Sequence, residues 1–369
     1  MLGRSLGARR AADVAVYAPH ATALYRGGEA AGGAELQMTY VARALAYAGL
    51  RVVHLVFDDG RPLPPRVEGV LIVRLPAEAS SGNALSRRRA VAAGLRRADA
   101  AVYIQRSAGM ATGLAASVAR LKRRAFVYSS SSGRDFVDGN LETVRARLEY
   151  RLGLRLANCV VVQTKSQRER ARAAFGLDAI VIPSFCEVAP AQQRQPEVFV
   201  WIGRIVGYKN PLAYVALAER IPEARFVMVA QSSSAPGLQA AVRAAAERLA
   251  NLELVGPIAH SEALALYGRS VAVVNTSDFE GFPNTFLEGW ARGVPALSLR
   301  VDPDGVIERH GLGVVVGSSE EKLAEAAREL WQRRNDSQAF EAASRLYVEH
   351  AHAPIAVGAA WSKLVAQLL

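Results

Sequence analysis

Two carboxylates stand eight positions apart, Glu280 and Glu288, in the run DFEGFPNTFLEGWARGVP from Asp278 to Pro295. Between them Gly281-Phe282-Pro283 forms a turn, and Asn284 and Thr285 are the types that cap a helix start. Glu288 then falls about one turn inside the helix and Glu280 on the loop before it, so the two do not face each other closely. Each suits a different cluster of hydroxyls, because an ionised carboxylate accepts from a vicinal diol through two oxygens. A second group is IGRIVGYKNP, where Gly203 ends an apolar run and Arg204 and Lys209 flank a turn. Two cations held at a strand end suit a pair of phosphates, and a solvated turn is the plain alternative. A third is Gly32-Gly33 in RGGEAAGGAE, where missing side chains let amides at a helix start approach an anion.

These residues need elements to hold them. Short β-branched runs alternate with longer helical stretches through the whole chain. DVAVYA, RVVHLVF, GVLIVRL, AAVYIQ, AFVYSS and CVVVQT read as buried strands of a first half. VFVWIGR, RFVMVA, LELVG, VAVVN, VPALSL and GVVVG repeat the grammar in a second. That order means βαβ units and parallel sheets, with ligands beyond the carboxyl ends of the strands. In the helical run GAELQMTYVARALAYAGL, Leu36, Tyr40, Leu45 and Ala48 share the predicted core face, and Gly49 ends it. The polar, Pro-flanked PAQQRQPE (Pro190 to Glu197) reads as a linker. The predicted architecture is α/β, with Rossmann-like domains at 1–190 and 191–353 and a closing helix, 354–369, turned back toward the first. All three candidate groups then meet at one interdomain cleft. Diol, diphosphate and second polyol, met by Glu288, by Arg204 with Lys209, and by Glu280, describe a nucleotide sugar.

Composition narrows the classes. The chain has 369 residues, 51% of them hydrophobic, enough for two cores. Cys159 and Cys186 are too few for a disulfide framework and read as reduced core residues. No apolar run is long enough for a membrane span, and the basic N-terminus MLGRSLGARR does not read as a secretory signal, so a cytoplasmic protein is expected. Up to Pro190 there are 28 Lys/Arg against 15 Asp/Glu; the rest of the 45 and 34 leaves 17 against 19. The basic excess is concentrated in Arg87, Arg88, Arg89, Arg96, Arg97, Lys122, Arg123 and Arg124. An anionic membrane surface is the candidate partner, with peripheral attachment at the inner face, against a plain arginine-rich surface. Nucleic acid is not expected, because no aromatic or helix-turn-helix pattern accompanies the charge.

The combination resembles the retaining GT-B glycosyltransferases of glycosyltransferase family 4 (group 1). The resemblance rests on E-x7-E at Glu280 and Glu288, on IGRIVGYKNP, on AGGAE, and on VIPSF before the linker, in that family's order. It implies that Glu288 contacts the nucleotide ribose, that Glu280 contacts the donor sugar, and that Arg204 and Lys209 neutralise the diphosphate. It implies no cofactor and no metal, a nucleoside-diphosphate sugar as donor, and a glycan or lipid-linked acceptor in polysaccharide or glycoconjugate assembly. Gly32, Gly33, Gly203, Gly281, Phe282, Pro283, Asn284 and Thr285 complete the expected donor site. One departure stands out: AVYIQRSAG has Gln105, then Arg106, where many members carry a histidine. A carboxamide is no general base, though it can hydrogen-bond a sugar hydroxyl. His20 is a candidate replacement, and Ser131, Arg134 and Asp135 in SSSSGRDF are candidates for the acceptor side. The rival readings are a non-catalytic glycan or nucleotide-sugar scaffold and a same-fold nucleotide-sugar epimerase.

Overall fold

In the computed structural model, residues 11–26, 32–137, 141, 143–190, 194–231, 235–336 and 338–369 are described. MLGRSLGARR, residues 27–31 of the first glycine loop and residues 191–193 of the linker lie outside them.

The first sheet contains β1 (Ala12–Tyr17), β2 (Val52–Phe57), β3 (Arg66–Val67), β4 (Val70–Leu75), β5 (Ala100–Arg106), β6 (Ala125–Ser129), β7 (Cys159–Val162) and β8 (Ile180–Val181). Its order is β3-β4-β2-β1-β5-β6-β7-β8. All pairs are parallel except β3 with β4. The second sheet contains β9 (Val198–Arg204), β10 (Phe226–Gln231), β11 (Leu252–Val255), β12 (Ser270–Asn275), β13 (Ala296–Ser298) and β14 (Gly313–Val315). Its order is β11-β10-β9-β12-β13-β14, all parallel. The twelve apolar runs of the sequence are twelve of these strands. Both faces of each sheet are covered by helices, which is why the strands are continuously apolar rather than alternating. The two extra strands, β3 and β8, have two residues each and leave no periodicity to read.

Strand order decides where a ligand can sit. In the first sheet the chain reverses its direction of travel between β1 and β5; in the second it reverses between β9 and β12. At such a switch point the loops after the two strands part and leave a crevice. The loops involved are the one leading to Gly32-Gly33 and the one after Gln105-Arg106, then those holding Arg204 to Lys209 and Thr276 to Glu280.

The helix Gly33–Tyr47 corrects one expectation. Its buried face is Met38, Val41, Ala42 and Leu45, with Gln37 and Thr39. Leu36 and Tyr40 are only half-buried and line the interdomain cleft, and Ala48 is exposed at the C-cap. The helix serves two surfaces, so a single stripe does not describe it. The expected linker is also more tied down than its polarity suggests. Arg194, its side chain 4% exposed, donates to the Gly293 carbonyl at 2.5 Å, to the Ser270 carbonyl and to Glu341 at 3.1 Å. The closing helix Pro354–Leu368 buries Val357, Trp361, Leu364 and Val365 in the same cluster as Val14, Val16, Met38 and Val41 of the first domain.

Candidate functional site

The loops after β9 and β12 are clamped to each other. Trp201 Nε1 donates to Thr276 Oγ1 at 3.1 Å, and Thr276 Oγ1 donates to the Lys209 carbonyl at 2.8 Å. The Asp278 amide donates to the Tyr208 carbonyl at 2.8 Å. Gly203 leaves room for the Trp201 ring, which a Cβ there would approach to 3.0 Å. This clamp brings Lys209 onto Glu280: Nζ contacts Oε1, which also accepts from Ser277 Oγ at 2.8 Å. The pair is largely shielded, with the side chains 21% and 14% exposed. Arg204 is exposed and donates to the Tyr208 hydroxyl at 3.1 Å.

Glu288 lies in the helix Asn284–Trp290, facing the helix His260–Tyr267. Its Oε1 is 2.9 Å from His260 Nε2, and its Oε2 accepts from the Tyr267 hydroxyl at 3.1 Å. The hydrogen bond to Glu288 raises the His260 pKa above its ordinary value, against the opposing effect of burial. Burial, together with the Glu288 charge, pushes the Tyr267 pKa well up, so its hydroxyl stays a donor. A separate cleft of about 220 Å³ opens at the carboxyl ends of β10 and β11, lined by Gln231, Gln239, Arg243, Gly256 and Pro257 among others.

The turn between the glutamates departs from expectation. Pro283, not Asn284 or Thr285, is the N-cap, and no side chain caps this helix. Asn284 is occupied elsewhere: Nδ2 donates to the Gly33 carbonyl at 3.1 Å, and Oδ1 accepts from Gln37 Nε2 at 3.2 Å. A Cβ on Gly33 would come 2.6 Å from Asn284 Nδ2, so the glycine makes room for this bridge. Gly32 is the N-cap of its helix, and a Cβ there would meet Glu35 Oε2 at 2.4 Å. Gly281 likewise lies against the first domain, where a Cβ would come 2.3 Å from the Ser131 carbonyl. Phe282 packs 4.8 Å from the His352 ring, and Thr285 is half-buried.

On the opposite wall, Gln105 is buried and its amide is used internally. Oε1 accepts from Thr112 Oγ1 at 3.0 Å, and Nε2 donates to the carbonyls of Arg106 at 2.6 Å and Ser107 at 2.7 Å. Asp135 is buried too, its Oδ2 accepting from the Tyr128 and Ser130 hydroxyls and the Ser131 amide at 2.9, 3.1 and 2.7 Å. Arg106 donates to Ser129 Oγ at 3.1 Å, and burial lowers its pKa to about 10, partly offset by the Asp135 charge. Arg134 crosses the cleft. Its guanidinium lies 4.9 Å from the Phe279 ring centre and 5.4 Å from that of Tyr208, two rings stacked on each other. His20 is exposed, edge-on to Phe57 at 5.0 Å.

Several participants escaped the sequence reading, among them Tyr267, Ser277, Gln37 and Asp304. Tyr267 had a legible signal: it lies seven residues, two helical turns, from His260, and so on the same face. Ser277, Gln37 and Asp304 had none, since their partners are fixed by the meeting of distant loops. Asp304 accepts from the amides of Lys165 and Ser166, at 2.6 and 2.9 Å, across the domain boundary.

Known proteins share this organisation. No curated protein sequence matches the chain significantly. Sucrose-phosphate synthase from Thermosynechococcus elongatus superposes with a TM-score of 0.78 at 17% identity, covering 97% of this chain and 99% of that one. HepE of Anabaena, solved in complex with UDP-glucose, gives 0.74 at 14%, covering 97% and 100%. WaaG, a glycosyltransferase involved in lipopolysaccharide biosynthesis, gives 0.70 at 14%, covering 95% and 99%. At these identities the likeness is one of fold. The family assignment comes from two domain models, "Glycosyl transferase 4-like domain" over residues 32–184 and "Glycosyl transferases group 1" over residues 196–333. With one such domain on each side of a cleft in the GT-B arrangement, the chain is a glycosyltransferase of the GT-B type.

Proposed function

We propose that this glycosyltransferase moves a sugar from a nucleoside-diphosphate sugar to a glycan or lipid-linked acceptor with retention of anomeric configuration and without a metal. The observation that carries the reading is the paired state of the two glutamates. On Glu280, Lys209 and Ser277 both hold Oε1. That fixes the carboxylate and leaves Oε2 for a donor-sugar hydroxyl. On Glu288, His260 and Tyr267 take one lone pair from each oxygen. A carboxylate has about four acceptor sites, so a cis-diol such as a ribose can still be met. The nucleobase is assigned to the cleft lined by Gly256 and Pro257. Arg204 and Lys209 then stand where the leaving diphosphate gathers charge, and stabilising that charge lowers the barrier. Gln105 is no base in this scheme, and the departing diphosphate takes the acceptor proton on the face from which it leaves. The bond from the anomeric carbon to the diphosphate breaks as the bond to the acceptor oxygen forms.

The test is incubation with a panel of nucleotide sugars and acceptors, with and without a chelator, following nucleoside diphosphate release and the product anomer by NMR. Release that needs an acceptor, survives chelation and yields the donor's anomer is expected. Binding without release would favour the scaffold reading. An inverted product would overturn retention, and loss of activity on chelation would overturn metal independence.

A further inference from the structure

The helix Val144–Leu156 is apolar on the side it should not be. Its sequence, VRARLEYRLGLRL, carries four arginines against one glutamate. The inner side is made by Tyr150, Gly153 and Leu154, all buried. Gly153 packs so closely on the neighbouring helix Met110–Leu121 that a Cβ would come 2.8 Å from the Thr112 carbonyl. The helix therefore cannot roll to bury more. What it leaves outside is Val144 at 65%, Leu148 at 60% and Leu152 at 47% exposure. These lie at intervals of four, one stripe on one face. The other exposed residues on that face are Arg145, Arg151 and Arg155. The helix's one acid, Glu149, is itself largely covered: it pairs with the shielded Arg88 and, at 3.0 Å, with Arg145 one turn before it. A solvent-facing surface of valine, leucine and arginine, with its acid largely covered, is complementary to anionic headgroups over acyl chains.

The arginine clusters that stand out in the sequence contribute less than their number suggests. Lys122 is bound to Asp99 at 2.7 Å, with Arg124 at 3.9 Å from the same carboxylate, and Arg97 donates to the Arg74 carbonyl at 3.4 Å. The apolar stripe is the more specific feature. Its location also fits. The helix lies between β6 and β7 of a parallel sheet, so it starts at the sheet's carboxyl edge, the edge that borders the cleft.

We propose that the outward face of this helix, with Val144, Leu148 and Leu152 inserted and Arg145, Arg151 and Arg155 at the headgroups, seats the first domain on an anionic lipid bilayer. It extends the proposed function by naming the surface on which a lipid-linked acceptor would be met, yet it stands without the transfer chemistry. Its test accordingly uses no donor. The full-length protein is co-sedimented with phosphatidylcholine vesicles with and without phosphatidylglycerol, at low and at physiological salt. Wild type is expected to bind the phosphatidylglycerol vesicles preferentially and to lose binding as salt rises. Leu148→Glu/Leu152→Glu is expected to lower partitioning at least about tenfold, with circular dichroism confirming an unchanged fold. Arg151→Gln/Arg155→Gln should weaken binding to the anionic vesicles only. Equal binding to both lipids by wild type, or wild-type binding by the leucine double variant, would overturn the proposal. So would sedimentation equilibrium showing that the stripe closes a dimer, with no lipid bound. Absence of transfer activity in the wild type, with its vesicle binding intact, bears on the chemistry alone.

Discussion

At the scale of single residues, the proposed donor site is already internally paired. Lys209 neutralises Glu280, His260 and Tyr267 hold Glu288, and Arg204 leans on Tyr208. Each pair positions a group and keeps it from being left as a lone buried charge. Two predictions belong here. Arg204→Ala or Lys209→Ala should each reduce kcat about a hundredfold, the effect of one charge-assisted contact to a leaving group, roughly 3 kcal/mol. Initial-rate kinetics at saturating donor would show it, and unchanged turnover in both would remove them from the diphosphate site. The glutamates should divide differently. Glu288→Ala should mainly weaken binding of the bare nucleoside diphosphate, because a ribose contact acts equally in ground and transition states. Glu280→Ala should keep that affinity and slow transfer. Calorimetry with the nucleoside diphosphate tests both, and the opposite pattern would exchange the two roles.

At the scale of elements, the site depends on helix ends and loop tips that meet across the cleft. Asp304 is the clearest case. It sits at φ 55, a conformation that Asp tolerates better than most residues, and there its carboxylate meets the first amides of the helix Lys165–Phe175. The bond satisfies donors that a helix start leaves open and ties the second domain to the first. Asp304→Ala loses the cap and adds strain, so a loss of about 1 kcal/mol is expected, visible in Tm. Small-angle scattering should show a wider mean separation of the domains. Asp304→Asn, which keeps an acceptor and tolerates the backbone, should recover most of both. An Ala variant with wild-type Tm and scattering would show that the contact holds nothing.

At the scale of the whole molecule, two histidines are buried in neutral form, one in each half of the chain. Burial lowers the His54 pKa to about 3 and the His352 pKa to about 4, from an ordinary 6.5. His54 contacts the Tyr25 hydroxyl at 2.5 Å, and His352 Nδ1 lies 2.8 Å from the Ser184 carbonyl. Between the folded and unfolded pKa values the unfolded chain binds more protons, so stability falls as pH drops below about 6.5. At pH 5 each histidine is expected to have removed roughly 2 kcal/mol relative to pH 7. Urea titrations at the two pH values measure the difference. His54→Asn should flatten its share of the slope whatever it does to stability at pH 7, and an unchanged slope would refute the assignment.

Much of this molecule was legible in its sequence for a local reason. A strand covered on both faces must be apolar throughout, so twelve strands showed as apolar runs, and their alternation with helices gave two parallel sheets. Glu280, Arg204 and Lys209 could be named as candidates because they follow strand ends, where parallel sheets bind ligands, and Glu288 because it stands in the helix that comes next. What one residue does in two surroundings could not be read locally. Asn284 looked like a helix cap and is a bridge to Gly33 and Gln37. Gln105 and Asp135 looked like cleft residues and spend their polar atoms within the first domain. Arg194 looked like part of a linker and is a buried plug. The stripe of Val144, Leu148 and Leu152 has the spacing of a core face, and only the close packing at Gly153 turns it outward. A sequence fixes periodicity, turn chemistry and charge, which depend on near neighbours. Tertiary structure alone decides which polar atoms find partners hundreds of residues away, and which apolar face is left for something else to cover.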